Sequence, residues 1–87
     1  MMGLHPTSVK ENFREELEKI EFELEQGSYV GIGEIGIDLY WDKTYFKEQC
    51  EAFERQLDLS LHYGLPVVIH ARESFREILE ILEGYRN

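Results

Sequence analysis

Two short apolar runs each end in a side chain that binds metal ions or transfers protons. The run at 29–34, Tyr-Val-Gly-Ile-Gly-Glu, ends in Glu34, and the run at 65–70, Leu-Pro-Val-Val-Ile-His, ends in His70. Carboxylates and imidazoles hold divalent cations in hydrolytic sites and also act as general acids and bases. The chemistry that this pair favours is metal binding or proton transfer at a shared site.

One helix-length amphipathic segment separates the two runs. Thr44 is a candidate N-cap, Gly64 has the position of a left-handed C-terminal residue, and the expected buried stripe is Phe46, Cys50, Phe53, Leu57 and Leu61. A strand, helix, strand unit has a right-handed crossover and parallel strands. Glu34 and His70 are therefore expected at the same, carboxyl edge of the sheet, where α/β proteins have their active sites.

An earlier helix is predicted from a capping box and an apolar repeat. Ser8 and Glu11 have the capping-box spacing, Gly27 ends the pattern, and the repeating apolar positions are Val9, Phe13, Leu17, Ile20 and Leu24. Residues 1–6 are expected to hold the tail of a preceding strand. The mixture of Gly, Asp and aromatic residues at 35–43 predicts an irregular loop.

A last helix follows the second strand. Ser74 and Glu77 repeat the capping-box spacing, Gly84 ends the segment, and the expected buried positions are Phe75, Ile78, Leu79 and Leu82. The predicted order is helix, strand, helix, strand, helix. Both strands are nearly continuous in apolar residues, as strands buried on both faces are.

Composition limits the class of protein. The chain has 87 residues, of which 43% are apolar, and a formal net charge of −9. This length supports one small domain with one hydrophobic core. The acidic balance excludes a broad basic surface, so any binding of phosphate has to be local, through bound cations or a few arginines.

Location is predicted from the cysteine count and from what the N-terminal residues lack. Cys50 is the only cysteine, so no intrachain disulfide forms and a reducing, cytoplasmic setting is expected. The start of the chain shows no basic n-region or apolar h-region, and no apolar run approaches the roughly 18 residues of a membrane span. We therefore expect neither secretion nor membrane insertion.

The segment 31–36 also satisfies the dinucleotide-binding pattern G-x-G-x-x-G. In a dinucleotide fold the glycines form the turn after the strand and a helix begins inside the motif. Here Gly31 and Gly33 are expected within the strand, and no helical start follows. A nucleotide-binding module is thus the least favoured alternative.

Three collinear segments resemble the TatD family of metal-dependent deoxyribonucleases and related hydrolases. They are Gly-Leu-His-Pro at 3–6, Gly-Ile-Gly-Glu-Ile-Gly-Ile-Asp at 31–38, and Leu-Pro-Val-Val-Ile-His-Ala-Arg at 65–72. The resemblance implies an α/β fold, a partial (β/α) TIM-type barrel of the metal-dependent hydrolase kind, with parallel strands alternating with helices. Residues 1–87 would then be a single partial (β/α) unit that lacks the first and last strands of the barrel.

The resemblance also implies roles for individual residues. Glu34 is similar to the metal-bridging carboxylate of the family and His70 to its next histidine ligand. Arg72 is similar to an arginine suited to phosphate contact, and His5 to a residue near the site that binds substrate and not metal. Asp38 belongs to the motif and is expected to brace the loop.

The implied activity is hydrolysis of phosphodiester bonds in DNA or a smaller substrate, assisted by one or two divalent ions such as Mg, Mn or Zn. The His-x-His pair, a later histidine and a late aspartate of the family have no counterpart here, so these 87 residues alone are expected to be inactive or only weakly active. The alternative is a non-catalytic module that self-associates, as a homo-oligomer, through exposed sheet edges and covers Val30, Ile32, Val67 and Ile69.

Overall fold

Parallel strands alternate with helices, which confirms the predicted α/β class. The computed structural model describes residues 1–27, 29–40 and 43–85. A short 3-10 helix precedes five longer elements, and in chain order these six are Pro6–Ser8, α1 (Phe13–Glu25), β1 (Ile32–Asp38), α2 (Phe46–Tyr63), β2 (Val67–Arg72) and α3 (Phe75–Glu83).

The two strands pair in parallel. Ile32 lies opposite Val67, and Asp38 lies opposite Arg72. On the other side of β1, Met2 forms a parallel bridge with Ile32. Residues 1–6 therefore do contain a short extended segment beside the sheet, as the sequence predicts.

Both strands begin and end later than predicted, and residues 35–38 are strand and not loop. Local propensity disfavours a strand there because Gly36 and Asp38 are poor strand formers. Pairing with β2 overrides that preference, since Ile35 and Ile37 are fully buried on one face of β1.

The core lies between β1 and the first two helices. α2 packs against β1, and α1 packs against α2. The side chains buried most completely at this junction include Leu17, Ile32, Ile35, Ile37 and Phe53. The burial of Ile32 corrects the expectation that it is an uncovered residue of a sheet edge.

The starts of α1 and α2 differ from the predicted N-caps. α1 begins at Phe13 with Asn12 as its N-cap, because Pro6–Ser8 forms a separate 3-10 turn that Ser8 ends. α2 begins at Phe46 with Tyr45, not Thr44, as N-cap. Gly64 does end α2 in the left-handed conformation, with φ 64°.

α2 buries a partly polar face. Its buried residues are Gln49, Ala52, Phe53, Gln56 and Leu57, whereas Leu61 is 70% exposed, contrary to the prediction. Helical periodicity alone does not distinguish a buried amide from an exposed one. None of the helices in the described residues combines the length and the apolar character needed to cross a bilayer.

α3 covers the sheet only in part. Ser74 is its N-cap as predicted, but the Ser74 hydroxyl donates to the Ile37 carbonyl of β1 and caps no helix amide. Ile78 is buried, while Phe75 is 70% exposed and Leu79 is 48% exposed, contrary to the prediction. In the described residues, no further helix or strand covers the side chains of Phe75 and Leu79.

Candidate metal centre

His5, Glu34 and His70 converge at one end of the sheet. Glu34 Oε1 lies 3.5 Å from His5 Nε2 and 3.6 Å from His70 Nδ1. The two imidazole rings are 4.5 Å apart between centroids and tilted by 58°. The structure therefore brings together the acid and the imidazole that end the two apolar runs, and it adds a second imidazole.

Glu34 is presented by an irregularity in β1. Gly33 lies opposite Val68 and Ile35 lies opposite Ile69, so Glu34 is an extra residue with no partner on β2. A bulge of this kind redirects a side chain out of the regular strand alternation. The Glu34 side chain is 52% exposed, which leaves its carboxylate accessible from solvent.

Asp38 contacts the ring nitrogen of His70 that does not face Glu34. Its Oδ2 lies 2.9 Å from His70 Nε2, and its Oδ1 accepts the Tyr40 main-chain N–H at 3.0 Å. Burial raises the pKa of the Asp38 carboxyl, but the hydrogen bonds from His70 and Tyr40 and the charge of Arg72 outweigh it. The net pKa lies below its ordinary value, so Asp38 is ionised at neutral pH.

The main chain of Asp38 is fixed as well. Gln49 of α2 accepts the Asp38 N–H at 2.7 Å and donates to the Asp38 carbonyl at 3.1 Å. Both partners are buried. α2 thus positions the end of β1, and with it the carboxylate that contacts His70.

His5 is fixed by the 3-10 turn that follows it. Its Nδ1 accepts the Thr7 main-chain N–H at 3.2 Å and lies 2.8 Å from Thr7 Oγ1. The turn begins with Pro6, whose fixed φ suits the first position of a helix. His5 Nε2 is left to face Glu34.

Arg72 ends β2, two residues after His70. Its guanidinium lies 3.9 Å from the centre of the Tyr40 ring, in a cation–π contact. Arg72 is exposed, and its strand partner is Asp38. Arg72, which the sequence analysis assigned to phosphate contact, therefore also lies at this end of the sheet.

The whole chain matches one family model. Residues 1–87 match the model of the TatD related DNase family. The chain belongs to this family. The three motifs that carried the resemblance are the segments that supply His5, Glu34 and His70 to the cluster.

Individual relatives agree with this family assignment. The chain is 36% identical over 75 residues to the uncharacterized metal-dependent hydrolase YjjV of Escherichia coli (strain K12), covering 84% of this chain and 29% of YjjV. It is 33% identical over 84 residues to the human 3′-5′ RNA nuclease TATDN2, covering 95% of this chain and 11% of that protein. It is 30% identical over 80 residues to the 3′-5′ ssDNA/RNA exonuclease TatD of Erwinia billingiae (strain Eb661), covering 92% of this chain and 31% of the relative.

The chain spans less than a third of the length of these relatives. Its matched segments nevertheless contain a compact set of potential ligands. One donor atom from each of His5, Glu34 and His70 lies within 4.8 Å of the other two. Nitrogen and carboxylate donors of this kind suit zinc and other first-row divalent ions.

The distance between two of these donors fits a common ion. Two ligand atoms that each lie about 2.1 Å from a tetrahedral ion are separated by about 3.4 Å. The separation of Glu34 Oε1 and His70 Nδ1 is 3.6 Å. Glu34 and His70 would therefore be able to hold one cation, and Glu34 Oε1 lies at a similar distance, 3.5 Å, from His5 Nε2.

Sequence reasoning missed the contact between Asp38 and His70 in this TatD-family site. It also kept His5 apart from the metal-binding pair. The missed signal for Asp38 is strand periodicity, because a strand that continues to residue 38 places Gly36 and Asp38 on the face opposite Ile35 and Ile37. No local pattern in the sequence indicates how close His5 lies to Glu34.

Proposed function

We propose that this chain forms part of a divalent-metal-dependent hydrolase centre that cleaves phosphodiester bonds, as a TatD-type nuclease. The observation that carries the proposal is the approach of His5 Nε2 and His70 Nδ1 to within 3.5 and 3.6 Å of one carboxylate oxygen, Glu34 Oε1. Membership of the TatD family supports the same chemistry.

In this proposal Glu34 and His70 hold the cation. Their ligand atoms have the separation expected of two ligands on one ion, and both side chains are partly exposed, so an ion can reach them. A bound divalent cation supplies a hydroxide at neutral pH and neutralises the charge that develops on phosphate oxygens. Mg, Mn and Zn are the candidate ions, one or two in each complete site.

Arg72 and His5 bind the substrate phosphate in this proposal. A guanidinium presents a planar fork of donors that matches two phosphate oxygens. The contact with Tyr40 holds the Arg72 guanidinium at the same end of the sheet as His70. Local cations are needed because a net charge of −9 repels a polyanion at long range.

Nucleic acid is the proposed substrate class. Two relatives are named as nucleases, one for RNA and the other for single-stranded DNA and RNA. A smaller phosphodiester makes the same contacts with a cation and an arginine. These 87 residues supply two proposed ligands, and a hydrolytic site uses three, so we expect weak binding and slow turnover from this chain alone.

Calorimetric titration with Mn²⁺ or Zn²⁺ tests the proposed ligands. We expect saturable binding that Glu34→Ala and His70→Ala each abolish. Glu80→Ala and His62→Ala are matched controls, because they remove an exposed glutamate of α3 and an exposed histidine of α2. Equal binding by all five proteins would contradict the proposal.

Hydrolysis of short single-stranded DNA and of a chromogenic phosphodiester tests the reaction itself. Any cleavage by the wild-type chain should stop when a chelator removes the cation, and should resume when Mn²⁺ is restored. Arg72→Lys keeps the charge but loses the planar fork, so a rise in KM greater than the fall in kcat is expected. Cleavage that survives both chelator and Glu34→Ala would contradict a metal-dependent mechanism at this site.

Self-association is a second proposal, and the open side of β2 favours it. In the described residues β2 pairs only with β1, and three apolar side chains, Val68 of β2 and Phe75 and Leu79 of α3, are 40%, 70% and 48% exposed. A second copy would cover these side chains. Light scattering after size-exclusion chromatography should give a mass above 10.3 kDa that Val68→Lys lowers, whereas a monomeric wild-type chain would contradict the proposal.

The remaining proposals concern organisation and location. We infer that residues 1–87 are one partial (β/α) unit of a TIM-type barrel, supported by parallel pairing and by the family match. A reducing, cytoplasmic setting stays a prediction that rests on Cys50 as the only cysteine.

A further inference from the structure

The two histidines of the cluster are held through different ring nitrogens. His70 is held at Nε2, which lies 2.9 Å from Asp38 Oδ2, and its Nδ1 faces Glu34. His5 is held at Nδ1, which accepts the Thr7 main-chain N–H, and its Nε2 faces Glu34. Glu34 Oε1 therefore faces Nδ1 of His70 but Nε2 of His5.

The chemistry of the holding groups decides where each ring hydrogen lies. A neutral imidazole has one N–H and one nitrogen lone pair. An ionised carboxylate only accepts, so the hydrogen of His70 is on Nε2 and the lone pair is on Nδ1. A main-chain N–H only donates, so the lone pair of His5 is on Nδ1 and the hydrogen is on Nε2.

We propose that Asp38 and the Thr7 main chain give the two histidines opposite roles. His70 presents a lone pair to a divalent cation, whereas His5 presents an N–H to an anionic oxygen of the substrate. This inference rests on the metal centre proposed above and divides its three-residue cluster into a ligand pair and a substrate contact. Asp38 is a positioning residue because it acts through His70.

The surroundings of Asp38 hold its carboxylate in one orientation toward the His70 ring. The residue is 5% exposed, and Gln49 fixes its main chain from α2. Its two carboxylate oxygens have different partners, since Oδ1 accepts the Tyr40 N–H and Oδ2 contacts His70. Neither oxygen can exchange with the other without breaking the bond to Tyr40.

This asymmetry predicts the effect of an isosteric substitution. In Asp38→Asn the side-chain carbonyl is expected to keep the Tyr40 N–H, which turns the NH₂ group toward His70 Nε2. Nε2 must then accept, so the ring hydrogen moves to Nδ1, the atom that faces Glu34. An amide in place of a carboxylate imposes the wrong histidine tautomer in the same way in a serine protease triad.

Nitrogen-15 NMR of the metal-free protein measures the tautomers directly, at a pH at which the rings are neutral. We expect the hydrogen of His70 on Nε2 in the wild-type chain and on Nδ1 in Asp38→Asn, with His5 keeping its hydrogen on Nε2 in both. His62, which is exposed on α2, is an internal reference. Asp58→Asn makes the same change of charge at an exposed position and should leave all three rings unchanged.

Calorimetry with Zn²⁺ measures the consequence for metal binding. Asp38→Asn should weaken binding about 10- to 100-fold, as loss of an outer hydrogen-bond partner of a metal ligand does. Asp58→Asn should not weaken it. His5→Ala should weaken binding far less than His70→Ala, because His5 offers the metal no lone pair.

Several outcomes would overturn the inference. A wild-type His70 with its hydrogen on Nδ1 does so without any variant, which keeps the test valid even where Asp38→Asn impairs folding. An unchanged His70 tautomer in folded Asp38→Asn, or equal losses of Zn²⁺ binding in His5→Ala and His70→Ala, also does so. A fourth outcome separates the two proposals. If the wild-type chain shows the predicted tautomers but binds no Zn²⁺, the proposed function is contradicted, whereas the role of Asp38 in fixing the His70 tautomer is supported.

Discussion

Gly36 of β1 and His70 of β2 lie opposite each other, with main chains so close that no side-chain carbon fits between them. A Cβ atom built on Gly36 overlaps the carbonyl oxygen of His70, and Gly36 has φ 143°. The absence of a side chain at position 36 therefore allows β1 and β2 to approach where the imidazole is positioned.

Gly36→Ala should both destabilise the protein and displace His70. The added methyl group forces the two strands apart, at a cost of roughly 2 kcal/mol or more in the free energy of unfolding. Denaturant titration measures that loss, and Zn²⁺ binding should weaken in parallel. Gly64→Ala is the control, since it has a positive φ but no atom within 4 Å of the added Cβ.

The control variant Gly64→Ala separates the cost of a backbone with positive φ from the cost of the steric overlap between the strands. Gly64→Ala should cost about 1 kcal/mol from the left-handed conformation alone and leave Zn²⁺ binding unchanged. A loss of stability in Gly36→Ala that is no larger than in Gly64→Ala would show that the strands tolerate the methyl group.

Gln49 links α2 to the end of β1 that carries Asp38. Gln49→Ala removes both hydrogen bonds to the Asp38 main chain and leaves a buried N–H and carbonyl without these partners, which should cost about 2 to 4 kcal/mol. Thermal unfolding measures the loss. Gln26→Ala, at an exposed position after α1, should change stability by less than about 0.5 kcal/mol. Similar values for the two variants would contradict a structural role for Gln49.

Much of the arrangement follows from the sequence, and the rest depends on contacts distant along the chain. Apolar runs that end in Glu34 and His70, with one helix between them, suffice to predict parallel strands and a shared edge. The contact of Asp38 with His70 was missed because Gly36 and Asp38 are poor strand formers, so the alternation at 35–38 becomes a strand only through pairing with β2. His5 lies at the same edge because of the 3-10 turn that follows it, and hydrophobic periodicity does not indicate the direction of that turn.

Arg14 and Glu51 join α1 to α2 on the surface through two parallel hydrogen bonds of 2.8 and 2.9 Å. Arg14→Lys loses this paired geometry and should reduce stability only slightly, and most at low salt, because exposed ion pairs contribute little. Denaturant titration at low and high salt should give a difference that shrinks as salt is added. A loss that is independent of salt would indicate packing and not charge.

The same pair has a pH dependence of known sign. The hydrogen bond from Arg14 lowers the pKa of Glu51 below its ordinary value. The contribution to stability is therefore present above the ordinary carboxyl pKa and is lost as the pH falls through the lowered one. Wild type and Glu51→Gln should accordingly converge in stability as the solution is acidified.

Tyr85 provides a test at the alkaline end. Its single hydroxyl hydrogen is shared between two acceptors, the Glu54 carbonyl at 3.1 Å and Asp58 Oδ1 at 2.9 Å. Burial, followed by the hydrogen bond to Asp58 and the charges of Asp58 and Glu54, raises the pKa of Tyr85 from 10.0 to about 12. Both bonds require the neutral phenol, so the folded chain keeps this proton where the unfolded chain releases it.

The stabilisation that Tyr85 provides should therefore be complete below pH 10 and should fall as the pH rises toward 12. We expect the difference in unfolding free energy between wild type and Tyr85→Phe to be constant up to pH 10 and to shrink above it. Ultraviolet absorbance of tyrosinate, measured as the difference between the two proteins, should show the Tyr85 transition above pH 10. A transition at the ordinary tyrosine pKa would mean that the hydroxyl is not held by Asp58, and Tyr85 would then be anchored to α2 by packing alone.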